Sequence, residues 1–413
     1  MPASAETHAP LTTELVCDER RLAELRPAWE GVYEAATGGS NPFLRWTWVW
    51  RWWERAKRRR GQPSTRLHLL VMHDAQAVVR AVMPFFLATW GIGPLRFRAL
   101  RFFGFHTAHL DLRTPLVWPG WEAAAAAQLN ATLWAQRHVY DVCVVDGLAE
   151  GSTFTELLAG YAASAGWVWG PSVPAFVVPL PATWEALRAG LSHNNRRSVQ
   201  QGRNALKREG HTLSFEVVSS ASELPDALEE LFVLHAARAA RPTGPRHSDY
   251  YARLEDRVFL RSLAEDLMEQ GLLQICRLRV DGTVVASRLV LGAGDGLYLY
   301  HAGHDPAWAR YRVGTTLTAE CMRLAIQKGA RRVHLGTGAD ESKIRWRPQQ
   351  HLFRQLHVLA PTPRGRLLGG VAHRALTISH ALRHQQPHRV VALEALLRRL
   401  VEPAAPRRQG WRR

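Results

Sequence analysis

A chain of 413 residues with 46% hydrophobic content is long enough for two ordinary domains with packed cores. The formal net charge of +17 suits a polyanionic partner such as nucleic acid, an anionic membrane or a phosphorylated cofactor. No uncharged apolar run reaches about 18 residues, which argues against a transmembrane helix, and MPASAETHAP has neither the basic start nor the apolar core of a signal peptide, so the cytoplasm is the expected compartment. Lysine occurs only at Lys57, Lys207, Lys328 and Lys343, so the arginine excess reads in part as codon drift in a GC-rich genome. Cys17, Cys143, Cys276 and Cys321 show no CxxC pair and no zinc-site spacing; they read as reduced, mostly buried thiols with no metal. Cys321 fits a small core residue better than a nucleophile.

In chain order, Cys17 to Ala36 has the apolar spacing of one amphipathic helix. Phe43 to Ala56 carries Trp46, Trp48, Trp50, Trp52 and Trp53, a core helix or a wall beside a cleft more readily than a stacking platform for bases or sugars. Leu67–Met72 and Ala77–Leu87 read as strands around a turn, Leu95–Phe105 as a third strand, Trp121–Ala135 as a helix, and Val139–Asp146, Phe154–Ala165 and Trp167–Trp169 as strand, helix and strand. Pro171, Pro174, Pro179 and Pro181 mark Gly170–Pro181 as a domain boundary. Trp184–Leu191 and the basic run Asn194–Lys207 read as helices, the second with Arg196, Arg197, Arg203 and Lys207 on a solvated or phosphate-facing side. Strand Phe215–Val218, helices Glu223–Ala240 and Asp249–Glu269, and a hairpin turning at Asp281-Gly282 follow. That hairpin echoes LHLLVMHDAQAVVRAVMPF of the first half, as a duplicated α/β unit would. Gly365–His384 and Arg389–Val401 read as two basic amphipathic helices that pack on the body or a partner, or lie on an anionic membrane.

The stretch Gly296–Trp346 is the most telling. Leu297-Tyr298-Leu299-Tyr300 alternates as a strand, His301–Arg312 turns through Gly303 and Pro306, a helix opens near Gly314 and ends near Gly329, and Val333-His334-Leu335 is a second strand. The first N–H groups of a helix lack partners and carry partial positive charge, so Val313, Gly314, Thr315 and Thr316 make an anion site flanked by Arg310 and Arg312. An ordinary crossover with two solvated arginines fits the same pattern. Gly336-Thr337-Gly338 then begins a loop carrying Asp340, Glu341, Lys343 and Trp346.

With these elements in order the chain resembles the GNAT acyltransferase superfamily, specifically the CelD-like (cellulose-biosynthesis-type) acetyltransferases related to the tandem-domain FemABX transferases. The resemblance rests on NPFLRWTWVWRWW, LSHNNRRSVQQGRNAL, the DGTVVASRL hairpin and the segment ending in G-x-x-x-x-E-x-K-x-x-W at Gly336, Glu341, Lys343 and Trp346, and it spans most of residues 40–360. It implies an α/β (α+β) fold of two tandem GNAT-like domains, 12–180 and 181–360, each a mixed, mostly antiparallel sheet flanked by helices, with a basic helical extension over 361–413. It further implies that the strand after the hairpin splays from its neighbour, that the pantetheine of acetyl-CoA or another acyl-CoA lies in the gap, and that its pyrophosphate meets the next helix. The family's turn, Q/R-x-x-G-x-G/A, is represented here by Tyr311, Gly314 and Thr316.

Acyl transfer to an amine needs a base, an oxyanion donor and a proton for the departing thiolate. His304 and His301 are the candidate bases, against a structural hydrogen-bonding role, with Asp305 to orient one of them. Tyr300 is the candidate acid, and Lys343 is placed to neutralise a phosphate, an acceptor carboxylate or the oxyanion. The expected activity is N-acyl transfer from coenzyme A to a small-molecule amine, of a sugar or cell-envelope precursor. The alternatives are a FemABX-like transfer from aminoacyl-tRNA and a non-catalytic module of polysaccharide assembly touching the inner membrane face through residues 365–401.

Overall fold

The computed structural model describes residues 9–58, 65–90, 96–104, 112–165, 167–240 and 249–385. The chain divides into two compact units, one built from residues up to Thr37, Trp52–Val173 and Leu352 onward, the other from Gly38–Arg51 and Pro174–His351. Residues 38–51 and 352–359 thus each lie with the unit that sequence order does not assign them to.

The first unit opens with a strand absent from the sequence reading, β1 (Thr12–Val16), then α1 (Glu19–Glu24) and α2 (Arg26–Thr37) in place of one long helix. Local chemistry explains the break: the Asp18 carboxylate caps α1 by accepting from the Arg21 N–H, and Pro27 fits only a first turn such as that of α2. The division between units falls inside α3 (Trp46–Arg58). Strands β2 (Arg66–Leu67), β3 (Leu69–His73), β4 (Val79–Met83), β5 (Phe85–Trp90), β6 (Phe97–Phe102) and β7 (Leu116–Val117) follow, then α4 (Glu122–Ala135), β8 (Val142–Ala149), α5 (Thr153–Ala165) and β9 (Val168–Trp169). β1, β3, β4 and β7 form one antiparallel sheet. β2, β5 and β6 pair antiparallel in another, where β6 meets β8 in parallel across the α4 crossover. The run read as a single strand over Ala77–Leu87 is two, because Pro84 has no N–H for a ladder and the chain changes sheet there. Phe85, Phe102, Leu129, Tyr140, Cys143 and Leu158 centre this core.

The main run of the second unit starts within β10 (Val173–Pro179), in the segment whose prolines marked a domain boundary. Phe176 and Val178 face the core, and Pro174 and Pro179 sit near the strand ends, where a missing N–H costs least. After α6 (Trp184–Gly190), α7 (His193–Arg208), β11 (Leu213–Val218), α8 (Leu224–Ala239) and α9 (Leu254–Glu269) come β12 (Leu273–Val280), β13 (Thr283–Ala293) and β14 (Gly296–His304). A 3₁₀ turn (Pro306–Tyr311) leads into α10 (Val313–Gln327), β15 (Arg332–Thr337), the short α11 (Glu341–Ile344), β16 (Gln349–Leu359) and α12 (Gly370–Gln385). The sheet order β11-β12-β13-β14-β15-β10 is antiparallel except for β14 and β15. α8 covers one face of β13 and β14; α10, with α7 against it, covers the other. Leu317, Cys321 and Met322 of α10 pack there with Val285, Val290, Leu299 and Trp346.

From Leu352, β16 returns to the first unit and pairs antiparallel with β8 and β9. The units therefore repeat a theme: a hairpin strand, a helical crossover to a parallel neighbour, and an antiparallel strand beyond it. The chain is a mixed α/β protein with sheets flanked by helices. Arg389–Val401 lies outside the described residues, and no helix among the described residues is long and apolar enough to cross a membrane.

Candidate active site

The site is built around β14. Its parallel ladder with β15 runs through Gly296↔Arg332, Leu297↔Val333 and Tyr298↔His334 and stops, so Leu299–His304 and Leu335–Thr337 diverge. On its other side β14 carries a bulge: Arg288 pairs with Ala302 and Val290 with Leu299, leaving Tyr300 and His301 opposite Leu289. One extra residue puts two consecutive side chains on the same face, and their rings stack with centroids 3.9 Å apart.

That face is the one under α8, since a Cβ at Gly303 would collide with the backbone of Leu234 and His235. Tyr300 packs on Phe43 and Trp48 with ring centroids 5.6 Å away in each case, so the fully buried Trp48 backs the Tyr300 ring. His301 Nδ1 shares a hydrogen bond with the buried Tyr251 hydroxyl. His235 is a third histidine here, and its protonation follows from its partners. A carbonyl only accepts and a backbone N–H only donates, so Nδ1 donates to the Ala302 oxygen (3.1 Å) and Nε2 accepts from the Tyr250 N–H (3.3 Å). His235 is neutral and positions the strand. His334, at the last rung, stacks on Tyr298, and burial pushes its pKa down to about 4.

On the opposite face His304 reaches the start of α10: its Nδ1 would be 3.6 Å from a Cβ on Gly314, the nearest atom such a carbon would meet. Gly314 is therefore open where a phosphate would approach. Arg312, before the helix, holds φ 56, a left-handed conformation that a non-glycine residue adopts at a cost and that concentrates at functional sites. The Thr315 and Thr316 N–H groups turn back to the Arg312 carbonyl (2.9 and 3.0 Å), while Val313 is buried. α7 lies tightly against this start, because a Cβ at Gly202 would overlap the Tyr311 carbonyl oxygen. Thr316 is buried on that side.

Three groups missed by sequence reasoning gather here. Arg345 donates to Thr315 Oγ1 (3.0 Å), its own carbonyl accepts from Asn195 Nδ2 (2.6 Å), and Ser198 Oγ accepts from Arg312 (3.0 Å). Arg310 is instead held by Glu209 (3.1 Å) with its guanidinium 4.5 Å from the Tyr311 ring centroid, and the Tyr311 hydroxyl it also meets keeps the Glu209 carboxyl below the usual range. Lys343 donates to the carbonyls of Thr337 and Gly338 and pairs with Asp340 (3.3 Å), tying down the loop after β15. Asp305 caps the 3₁₀ turn by accepting from the Ala307 N–H (2.9 Å). Cys321 is buried against Cys276 beneath α10.

A family profile described as acetyltransferase (GNAT) domain matches residues 193–343. This segment is an acyltransferase domain of the GNAT type. The chain is thus an enzyme of the acyltransferase class, and the match covers the basic helix, the forked strands and the loop that Lys343 closes. The crystal structure of FemX is similar in fold, with a TM-score of 0.51 at 12% identity over 77% of this chain and 93% of that one. The C-terminal domain of a putative lysylphosphatidylglycerol synthetase from Agrobacterium fabrum gives a TM-score of 0.47 at 13% identity, covering 87% and 97%. A tandem GNAT protein from the clavulanic acid biosynthesis pathway gives 0.44 at 12%, covering 85% and 99%. No curated protein matches the chain.

Proposed function

We propose that the domain moves an acetyl or longer acyl group from coenzyme A to an amine, as the CelD-like resemblance implies, with an amino sugar or other cell-envelope precursor as the acceptor class. The observation that carries this reading is the fork between β14 and β15. A pantetheine arm is a linear chain with two amides, and diverging strands offer it backbone edges, in the manner of a peptide added to a sheet. The diphosphate end falls at the start of α10, where Gly314 leaves room, the helix supplies partial positive charge, and Arg312 and Arg345 stand close.

The two histidines then divide their work by face. His304 sits at the phosphate end beside Gly314, whereas His301, oriented by Tyr251, sits at the bulge and takes the amine proton. Tyr300, which stacks on His301, then protonates the departing thiolate. Lys343 holds the loop and takes no part in the chemistry. Two of the α7 cations are already engaged, Arg203 by Glu320 and Arg196 by the Ala189 carbonyl, which favours acyl-CoA over aminoacyl-tRNA as donor. Peripheral membrane contact through 365–401 draws support from the exposed Leu367, Val371 and Ile378.

Calorimetric titration with coenzyme A tests the donor, and thiol release from acetyl-CoA and longer acyl-CoAs across a panel of amino sugars tests the transfer. Micromolar binding with amine-dependent release is expected; a protein that ignores coenzyme A but binds tRNA reverses the choice of donor.

A further inference from the structure

Arg288 lies on β13 directly opposite Ala302 of β14, on the face covered by α10. Its Nε is sealed without a hydrogen-bond partner, yet the residue as a whole keeps accessible surface. The guanidinium end therefore opens onto a cleft. Among the described residues Arg288 has neither a hydrogen bond nor an ion pair.

The groups that act on its charge are Cys321 on α10, Cys276 opposite it on β12, and Asp340 beyond β15. None of them neutralises it. The neighbouring Cys321 thiol and burial hold the proton on Cys276, and Asp340 is already paired with Lys343. A guanidinium stays charged in a protein, and a charge withdrawn from water without a counter-ion is among the costlier features a fold can carry. The neighbouring Arg277, by contrast, is met by Glu230 and Glu216 at 2.8 Å each. Where an arginine of this sheet is structural, the fold supplies its carboxylates.

The location of Arg288 points to its use. Asp340 follows β15, on the far side of β14 from β13, and the direction from Arg288 toward it runs over the small Ala302, its partner on β14. That direction leads to the stretch where β14 and β15 diverge, two residues from His304 and the start of α10. We propose that Arg288 is an anion-binding residue of this cleft, gripping a substrate oxyanion, carboxylate or phosphate, in a two-pronged hydrogen bond. The proposal rests on the acyl-transfer reading for the identity of the cleft: a phosphate comes from the donor, a carboxylate from the acyl chain or the acceptor.

Arg288→Met, a neutral side chain of similar reach, separates this from a structural role. Thermal unfolding is followed for wild type and variant alone and with coenzyme A, inorganic pyrophosphate or succinate. The unliganded variant is expected to melt at or above the wild type, since it sheds an uncompensated charge, and to bind at least one oxyanion about tenfold or more weakly. Loss confined to succinate assigns a carboxylate, and loss for pyrophosphate and coenzyme A assigns the donor phosphates. Arg288→Lys, which keeps the charge without the fork, should fall between. A methionine variant that melts well below wild type, or binds all three probes as wild type does, overturns the proposal, as does a wild type indifferent to both pyrophosphate and succinate. A wild type that ignores coenzyme A alone defeats the acyl-transfer reading while succinate still reports on Arg288.

Discussion

Tyr300 and His301 share one face because of one extra residue in β14, where the two faces of a regular strand would have kept them apart, and the proposed division into base and acid depends on that adjacency. His301→Ala should lower kcat/KM by about 10²–10⁴-fold with the coenzyme A Kd unchanged, and Tyr251→Phe by less, because the ring loses its orientation and keeps its base. His304→Ala should move the donor KM and leave kcat nearly intact, which steady-state kinetics with varied acyl-CoA resolves. Buried histidines also set a pH dependence. His334 is pushed down to about 4 and His357 to about 3, both by burial, so the folded protein holds them neutral while the unfolded chain protonates them near 6.5. Protons then favour unfolding: the stability is complete above pH 6.5 and is lost as the pH falls toward the folded values. Calorimetric unfolding between about pH 6.5 and 4.5, above most carboxylate titration, should show a falling Tm, with His334→Gln and His357→Gln each removing about 1.4 kcal/mol per pH unit of slope.

Three glycines distinguish packing from binding. A methyl group at Gly202 meets the Tyr311 carbonyl and one at Gly303 meets the α8 backbone, so Gly202→Ala and Gly303→Ala force α7 or α8 away from the sheet and should cost about 1–3 kcal/mol, read as a lower denaturant midpoint at constant m. Gly314 differs. Its methyl would rest at ordinary contact distance from His304, and alanine favours a helix by about 0.5–1 kcal/mol, so Gly314→Ala should preserve or raise Tm while weakening coenzyme A about tenfold or more. These elements were unequally legible in the sequence. The strand, turn, helix and strand over 296–337 followed from alternation and glycine placement, and so did the hairpin at Asp281 and Gly282, both of which adopt the positive φ its turn requires. The bulge was invisible, because it exists only in the register with β13. Arg345, Asn195 and Ser198 were equally hidden: Asn195 and Arg345 meet across 150 residues of chain, and nothing local announces that meeting. Lys343 was singled out as a surviving lysine beside the site, and its ammonium is spent on loop carbonyls.

The echo between the two halves is a matter of topology more than of matched residues. β5, β6, α4 and β8 trace the path of β13, β14, α10 and β15, but Pro84 diverts part of the first unit's hairpin into a second sheet, which is why the aligned sequences agreed only around the turn. Net charge needs the same care. Arg51 is paired with Asp266, Arg98 with Asp141, Arg279 with Glu216 and Arg332 with Asp295, so many of the 53 cations already have a carboxylate, and what a polyanion can meet is the excess of 17 and where it lies. If the donor is a nucleotide thioester held at one helix start, its affinity should fall no more than about tenfold when salt rises from about 50 to 200 mM, because only a few partly screened charges meet it. A tRNA-dependent enzyme contacting six to ten phosphates would lose roughly 10³-fold or more over the same range, through release of condensed counter-ions. Fluorescence titrations with coenzyme A and with tRNA at several salt concentrations compare the two slopes directly. A steep slope for tRNA at high affinity, beside no measurable binding of coenzyme A, would place the donor on the RNA and leave the fork between β14 and β15 to hold an aminoacyl end.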